Sequence, residues 1–170
     1  KRRRRCAVSR VPEMTSPTFT VRSVQALCYR YPLSTPVVTS FGRMLNRPAV
    51  FVRAEDTDGN TGWGEVWSNF PSTGAEHRTR LVNEVLAPAI SGVEISEPSQ
   101  ILEQLTRGTS VLALQCGEPG PFGQAIAGID LAMWDLYARR RKMALWKLLG
   151  GARQQIEVYA SGINPTGSRQ

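Results

Sequence analysis

Two aspartates, Asp130 and Asp135, lie five positions apart in a helical pattern and are the first residues whose spacing suggests acid–base chemistry. Five residues of an α-helix correspond to about 500° of rotation, so the two carboxylates point about 140° apart. We therefore do not interpret them as a catalytic pair. We expect each carboxylate to hold neighbouring backbone or an arginine at a packed interface.

Glu65 is a different kind of candidate, because it lies between Gly62-Trp63-Gly64 and Trp67 at the predicted end of a strand. Small residues at such a place let a ligand or another loop come close. A binding role and a solvent-facing carboxylate at a strand end both remain open for this residue.

Several other kinds of site are excluded by the residue types present. The single histidine, His77, excludes a His-rich metal site, and its helical surroundings predict an exposed position. Cys6, Cys28 and Cys116 contain no C-x-x-C pair, so neither a zinc knuckle nor a disulfide framework is indicated. This favours a reducing, cytoplasmic location. No glycine-rich phosphate-binding motif precedes a predicted helix, so nucleotide binding has no support.

The net charge of +7 is concentrated at the start of the 170-residue chain. Residues 1–13 carry six basic side chains against Glu13, a balance of +5. One interpretation is a stand-alone binding or assembly module whose basic tail engages nucleic acid or an acidic partner. We favour a basic extension upstream of a domain that begins at Met14, because the tail has no interleaved aromatic residues for stacking on bases. No apolar run approaches the ~18 residues that a membrane span needs.

The first half of the chain predicts an antiparallel sheet. Residues 18–31 and 49–55 are rich in β-branched and aromatic residues and are predicted strands, separated by a long loop over residues 32–48. The Asp58-Gly59 turn signal then joins the second strand to a third over residues 61–67.

The second half predicts helices and one further strand. Thr73 and Glu76 match a capping box ahead of a helix over residues 74–87. Pro98 marks the start of a second helix that ends near Gly108. A long helix follows over residues 123–142, then a short turn over residues 144–149 and a strand over residues 156–160.

Three segments carry a resemblance to a known family. They are Thr61-Gly-Trp-Gly-Glu65, the run AIAGIDLAMWD over residues 125–135, and LWKLLGG over residues 145–151. In this order of elements they resemble the N-terminal capping domain of the mandelate racemase and muconate lactonizing enzyme branch of the enolase superfamily. The resemblance covers about residues 18–165.

The resemblance implies an α+β fold, with a three-stranded antiparallel meander followed by a helical segment. It divides the chain into the extension over residues 1–13, a capping domain over residues 14–150 and the start of a (β/α)₈ barrel over residues 151–170. Residues 156–160 are then expected to be the first barrel strand, and the rest of the barrel is missing.

In this family a carboxylate substrate binds Mg²⁺, and a Lys or His base removes the proton α to the carboxylate. The base and three acidic metal ligands lie at the C-terminal ends of later barrel strands, in keeping with where barrel enzymes place catalysis. Lys142 and Lys147 do not match the family's Lys-x-Lys base motif. We therefore assign no catalytic residue and no metal ligand, and expect this segment alone to bind no Mg²⁺ and to be inactive.

The family's cap supplies two loops that close over the barrel mouth and choose the substrate. By position these resemble residues 34–47 and 66–73. The residues expected to contact substrate are Phe41, Arg43, Glu65, Trp67 and Phe70. The reaction, whether racemisation, sugar-acid dehydration or cycloisomerisation, is left open, and polar loop content favours a hydroxy or sugar acid. The family also implies a homo-oligomer for a complete protein.

Overall fold

An antiparallel sheet with helices on one face organises the chain. The computed structural model describes residues 18–40, 42–153 and 155–160. The strands are β1 (Phe19–Thr39), β2 (Gly42–Asp56), β3 (Thr61–Val66) and β4 (Glu94–Ile95). They lie in the order β3-β2-β1-β4, and each neighbouring pair is antiparallel. The α+β class is confirmed, and the two-residue β4 adds a fourth strand to the predicted meander.

The hairpin of β1 and β2 is longer than predicted, and the loop expected over residues 32–48 is wrong. Regular pairing runs from Ser23 to Pro32, and a second stretch pairs Val37 to Thr39 with β2. Between these stretches, residues 33–36 of β1 face Leu45 alone on β2. Proline lacks the N–H that a ladder needs, so Pro36 is accommodated in this irregular part of the strand.

A buried carboxylate builds the turn between β2 and β3. Asp56 is fully buried, and its side chain accepts hydrogen bonds from the backbone N–H groups of Asp58 (3.0 Å) and Asn60 (2.8 Å). The guanidinium of Arg140 lies 2.9 Å from the second carboxylate oxygen. Gly59 has φ +84°, a conformation that glycine adopts without strain.

The helical segment contains five α-helices and one π-helical stretch among the described residues. They are α1 (Gly74–Arg80), the π-helical stretch Leu81–Leu86, α2 (Ala87–Ile90), α3 (Ser99–Gln115), α4 (Pro119–Arg140) and α5 (Leu145–Leu148). None of these described helices is long and apolar enough to cross a membrane.

The first predicted helix is present, but its predicted capping box does not form. Thr73 precedes α1 without a side-chain capping bond. The Glu76 carboxylate, which would complete the box, pairs instead with Arg30 of β1. At the end of the π-helical stretch, the Ala87 N–H donates to the carbonyl of Val82, and the next residue is Pro88, which has no N–H.

The predicted boundaries of the later helices are wrong in two places. Gly108 lies in the interior of α3 rather than at its end, since the buried positions Thr109 and Ala113 continue the face that packs on the core. Pro119 and Pro121 begin α4 rather than preceding it, because the first turn of a helix does not need their missing N–H groups.

Helix α4 packs against β3 at the backbone itself. A Cβ atom built on Gly62 would lie 2.2 Å from the Ala132 carbonyl oxygen, and one on Gly64 would lie 2.2 Å from that of Gly128. Any side chain at either position would force the two elements apart. The small residues beside Glu65 thus let a helix approach, not a ligand. The largest fully buried side chains of the core come from this sheet and these helices: Val21, Val50, Val52, Val66, Val82, Leu86, Ile90, Ile101, Leu105, Ile129, Met133 and Leu136.

The strand predicted over residues 156–160 does not form in the described structure. Ile156, Val158 and Tyr159 are 78%, 82% and 88% exposed. A strand is stabilised by hydrogen bonds to a neighbour, and no described strand pairs with these residues.

Candidate functional site

The two predicted lid segments lie side by side and enclose a cavity of about 120 Å³. Arg43 and Asn46 line it from the outer part of β2, while Asn69 and Phe70 line it from the loop that follows β3. Two of the predicted substrate contacts, Arg43 and Phe70, therefore share one cavity, although one precedes the other by almost thirty positions.

Arg43 is a cation available at this cavity. It is exposed and pairs with Val38 across the hairpin. Its guanidinium makes no hydrogen bond or ion pair with the described residues. A guanidinium in this state can bind a carboxylate through two parallel hydrogen bonds.

Phe70 and Met44 give the cavity its apolar wall. Met44 is buried, and Phe70 is half-buried. Phe70 precedes Pro71 in a cis peptide bond within the second lid segment.

Arg30, which sequence analysis missed, lies at the junction of these elements. Its Nε and one terminal nitrogen each lie 2.6 Å from an oxygen of Glu76 on α1. The other terminal nitrogen lies 2.6 Å from Asn46 Oδ1 on β2. The Ser72 carbonyl accepts a further hydrogen bond from this guanidinium. One side chain thus joins β1, β2, α1 and the second lid segment.

The pairing of Arg30 with Glu76 also sets the charge state of both groups. The hydrogen bond from Arg30 lowers the pKa of Glu76 to about 2, against a smaller opposing effect of burial. The same hydrogen bond raises the pKa of Arg30. At neutral pH both members of the pair are therefore charged, and Glu76 balances the charge of Arg30.

A signal for Arg30 was present in the alternation of β1. Val24 and Ala26 face the covered side of the sheet, and Cys28 packs against the same core. Arg30 is the next residue in this series, so the alternation predicts a charged side chain on the face that helices cover. Its partners are not readable from the sequence because they lie 16 and 46 positions away.

The other predicted contact residues are not brought to this cavity. Glu65 faces Phe51 across β3 and β2 and lines a separate, open depression with Trp63 and Leu131. Trp67 is 52% exposed and does not line the cavity either. Phe41 lies outside the described residues, as does the basic extension over residues 1–13.

The remaining polar candidates have structural partners. Asp135 accepts hydrogen bonds from the Trp63 backbone N–H (2.9 Å) and from Arg139 (2.8 Å), which confirms the structural role predicted for it. His77 is partly exposed on α1 and lies 3.0 Å from Glu118 at the start of α4. Among the described residues there is no group of three His, Cys, Asp or Glu side chains that could hold a metal ion.

A meander sheet backed by helices, with a hairpin and a following loop that enclose a small cavity, defines a capping domain. The sequence profile of the mandelate racemase / muconate lactonizing enzyme N-terminal domain matches residues 21–150. The chain belongs to this family of the enolase superfamily.

Individual relatives agree with this assignment. The chain is 30% identical over 145 residues to the 3,6-anhydro-alpha-L-galactonate cycloisomerase of Streptomyces coelicolor, covering 85% of this chain and 38% of that enzyme. A mandelate racemase/muconate lactonizing enzyme from Bordetella bronchiseptica RB50 superimposes with a TM-score of 0.77 at 50% identity, covering 88% of this chain and 38% of that protein. A racemase from Streptomyces coelicolor A3(2) with bound magnesium superimposes with a TM-score of 0.73 at 30% identity, covering 84% and 39%. The chain thus spans about two fifths of the length of these relatives.

Proposed function

We propose that this chain is the substrate-capping segment of a Mg²⁺-dependent enzyme that removes the proton α to a carboxylate. The observation that carries the proposal is the cavity at which Arg43 and Phe70 meet between the two lid segments. Family membership supports the capping role, and the magnesium bound to the Streptomyces coelicolor racemase supports the metal.

The chemistry of the cavity favours a hydroxylated acid. Arg43 is a cation whose charge no described carboxylate balances, and the amides of Asn46 and Asn69 both donate and accept hydrogen bonds. In this proposal Arg43 attracts the carboxylate, the amides recognise hydroxyl groups, and Phe70 covers an apolar part of the substrate. A cavity of about 120 Å³ holds only part of such an acid, since sites for small molecules usually measure ~300 Å³ or more.

The metal and the base belong, in this proposal, to the additional length that the relatives have. The described residues offer no cluster of metal ligands, so this segment is proposed to contribute substrate selection rather than proton abstraction. Residues 14–150 would form the cap, and residues 151–170 would lead into the barrel. Racemisation, dehydration of a sugar acid and cycloisomerisation are all compatible with this division.

The proposal is tested in a chimera in which residues 18–150 replace the matching segment of the Bordetella bronchiseptica relative. Exchange of the α-proton for deuterium, followed by ¹H NMR in D₂O over a panel of hydroxy and sugar acids, identifies the acids on which the chimera acts. We expect Arg43→Ala to raise KM at least tenfold with a smaller effect on kcat, because it removes a contact made to the substrate carboxylate.

Arg107→Ala is the matched control, since Arg107 is an exposed cation on α3 that pairs only with Glu103 among the described residues. An Arg43→Ala chimera whose KM equals that of the Arg107→Ala control contradicts a substrate-binding role for Arg43. Phe70→Ala serves as the second probe of the same cavity, with KM as its readout.

A further inference from the structure

The side-chain amide of Asn46 is fixed in one direction. Asn46 lines the cavity between the two lid segments, and its Oδ1 lies 2.6 Å from a terminal nitrogen of Arg30. A guanidinium carries hydrogen-bond donors only, so the Asn46 atom that faces it has to be the oxygen. The amino group of Asn46, Nδ2, forms no hydrogen bond with the described residues. This donor is therefore available to a ligand.

Arg30 is itself held in place, so it does not turn away from Asn46. Its Nε and one terminal nitrogen each lie 2.6 Å from an oxygen of Glu76, and the Ser72 carbonyl accepts a further hydrogen bond. Each of its three nitrogens thus has an acceptor among the described residues. Glu76 also balances its positive charge. Arg30 therefore acts on a ligand in the cavity through the direction that it gives to Asn46.

The backbone of Asn46 is fixed as well. Asn46 pairs with Pro32, which is the last pair of the regular ladder between β1 and β2. The neighbouring donor, Arg43, is exposed and lies beyond the irregular stretch of the hairpin. A polar group whose backbone and side chain are both held loses little conformational freedom when it binds a ligand. Asn46 is thus a preorganised donor of this cavity.

Asn69, the other amide of the cavity, is not fixed in this way. It lies in the second lid segment, and its side chain forms no hydrogen bond with the described residues. Its amide can turn to present either the oxygen or the amino group. The same turn in Asn46 would place its amino group against the donors of Arg30 and lose a hydrogen bond. The two asparagines therefore differ, since Asn69 adapts to a ligand and Asn46 selects one.

We propose that Arg30 is a positioning residue for substrate recognition, which holds the Asn46 amide so that Nδ2 donates a hydrogen bond to an acceptor oxygen of the substrate. The guanidinium of Arg43 also carries donors only. These two side chains of β2 suit a carboxylate or a carbonyl oxygen and disfavour an ammonium group. The inference rests on the proposed function, since it takes this cavity as the place where substrate binds, and it adds which substrate atoms bind there.

Asn46→Asp in the chimera described above tests the inference, with the acid that the deuterium-exchange panel identifies as the best substrate. The variant keeps an oxygen toward Arg30 and removes the amino group. We expect KM to rise at least tenfold with a smaller effect on kcat, because the lost donor contacts the substrate. If Asn46 only ties β2 to Arg30, the variant preserves that tie. A KM within about twofold of that of the unmodified chimera therefore overturns the inference.

Asn69→Asp is the matched control, because it adds the same negative charge to the same cavity at an amide that is free to turn. Its rise in KM should be at least threefold smaller than that of Asn46→Asp. Equal rises would mean that the added charge repels the substrate, and they would overturn the inference.

A double-mutant cycle tests the role assigned to Arg30. Arg30→Lys keeps the positive charge, but a single nitrogen cannot hold Glu76 and Asn46 in the geometry of a guanidinium. Asn46→Ala should raise KM at least tenfold in the unmodified chimera and less than threefold in the Arg30→Lys chimera. Equal effects in both backgrounds would show that Asn46 does not depend on Arg30 and overturn the positioning role. If Arg30→Lys does not fold, Asn46→Asp and its control decide.

The same experiments separate this inference from the proposed function. If Arg43→Ala raises KM and Asn46→Asp does not, the proposed function stands and the inference alone is overturned. If neither variant raises KM, the cavity is not the place where substrate binds, and both are overturned.

Discussion

At the scale of single residues, Arg30 is the side chain on which the candidate site depends. Its hydrogen bonds with Asn46, Ser72 and Glu76 fix the hairpin and the second lid segment to the start of α1. The cavity residues Arg43 and Phe70 are brought together because the segments that carry them share this anchor. Half of the Glu76 side chain is exposed, so solvent weakens the pair well below the value that its pKa shift suggests.

Glu76→Gln should therefore destabilise the chain by about 1 kcal/mol at pH 7. The pKa of Glu76 in the folded state is about 2, below the unfolded value of about 4.3. The carboxylate thus stabilises the fold fully above about pH 5, and this stabilisation is lost as the pH falls toward 2. In urea unfolding at pH 7, 4 and 2.5, the difference in unfolding free energy between the wild type and the variant should shrink as the pH falls.

Glu103→Gln provides the comparison, because Glu103 pairs with Arg107 on an exposed face of α3. Its effect should stay below about 0.5 kcal/mol. A wild type and a Glu76→Gln variant that stay equally far apart at all three pH values would contradict the assignment of the ion pair.

Asp56→Ala should cost much more, about 3 kcal/mol, since it removes a fully buried carboxylate and leaves the Arg140 guanidinium with one partner fewer. Asp58→Ala removes the other carboxylate on Arg140, but that side chain is 60% exposed, and we expect a loss below about 1 kcal/mol. Denaturant unfolding at neutral pH measures the stability of both variants. Equal losses of unfolding free energy would show that the burial of Asp56 does not make it the more important partner of Arg140.

Residue types predicted some of these roles and not others. The Asp58-Gly59 signal predicted the β2–β3 turn, because such turns depend on local conformation. The spacing of Asp130 and Asp135 was enough to predict that they do not act as a catalytic pair, because the rotation per residue of a helix is fixed. The partners of Arg30 and the burial of Asp56 depend on contacts across the fold, and no local pattern specifies them.

At the scale of elements, the two glycine sites Gly64 and Gly108 should respond to alanine in opposite ways. Gly108 lies inside α3 with open space around its Cα, so Gly108→Ala should stabilise the chain by about 1 kcal/mol through helix propensity. If the helix ended at Gly108, as the sequence predicted, the Gly108→Ala variant would gain no stability. Thermal unfolding distinguishes the two expectations.

Gly64→Ala is the opposing variant, because its new Cβ would lie 2.2 Å from the Gly128 carbonyl oxygen of α4. We expect a loss of about 3 kcal/mol or failure to fold. A Gly64→Ala protein as stable as the wild type would show that α4 and β3 are further apart than described.

The elements that could be predicted are those whose patterns are local. The long helix α4 and strand β3 follow from hydrophobic periodicity and turn signals. The outer part of the hairpin was missed because Pro32, Pro36 and Pro48 are typical of loops. Cross-strand pairing overrode that local tendency. The strand over residues 156–160 was predicted from its residue pattern and from the family resemblance, and neither supplies a neighbouring strand among the described residues.

At the scale of the whole molecule, the exposed apolar side chains of Ile156, Val158 and Tyr159 make self-association the expected behaviour of the chain by itself. The double variant Ile156→Lys/Val158→Lys should reduce association at least severalfold while leaving the unfolding free energy unchanged, since neither side chain is packed. Sedimentation velocity and urea unfolding measure the two quantities.

Glu157→Lys is the matched control, because it changes charge in the same exposed stretch without removing an apolar group. If association falls equally in this control, the change in net charge explains the effect, and the loss of apolar surface does not. A wild-type chain that stays monodisperse at high concentration would contradict the prediction altogether.

The irregular pairing in the β1–β2 hairpin divides the hairpin into a part with regular register and an outer part that tolerates changes in length. From Ser23 to Pro32, β1 pairs with β2 in a continuous ladder. Beyond Pro32, four residues of β1 face one residue of β2. An unequal pairing of this kind absorbs changes in length, so insertions or deletions at the hairpin tip do not propagate into the ladder. The part of the cavity that β2 supplies can therefore be rewritten within residues 33–45, while Asn46 keeps its hydrogen bond with Arg30 and the rest of the domain keeps its sequence.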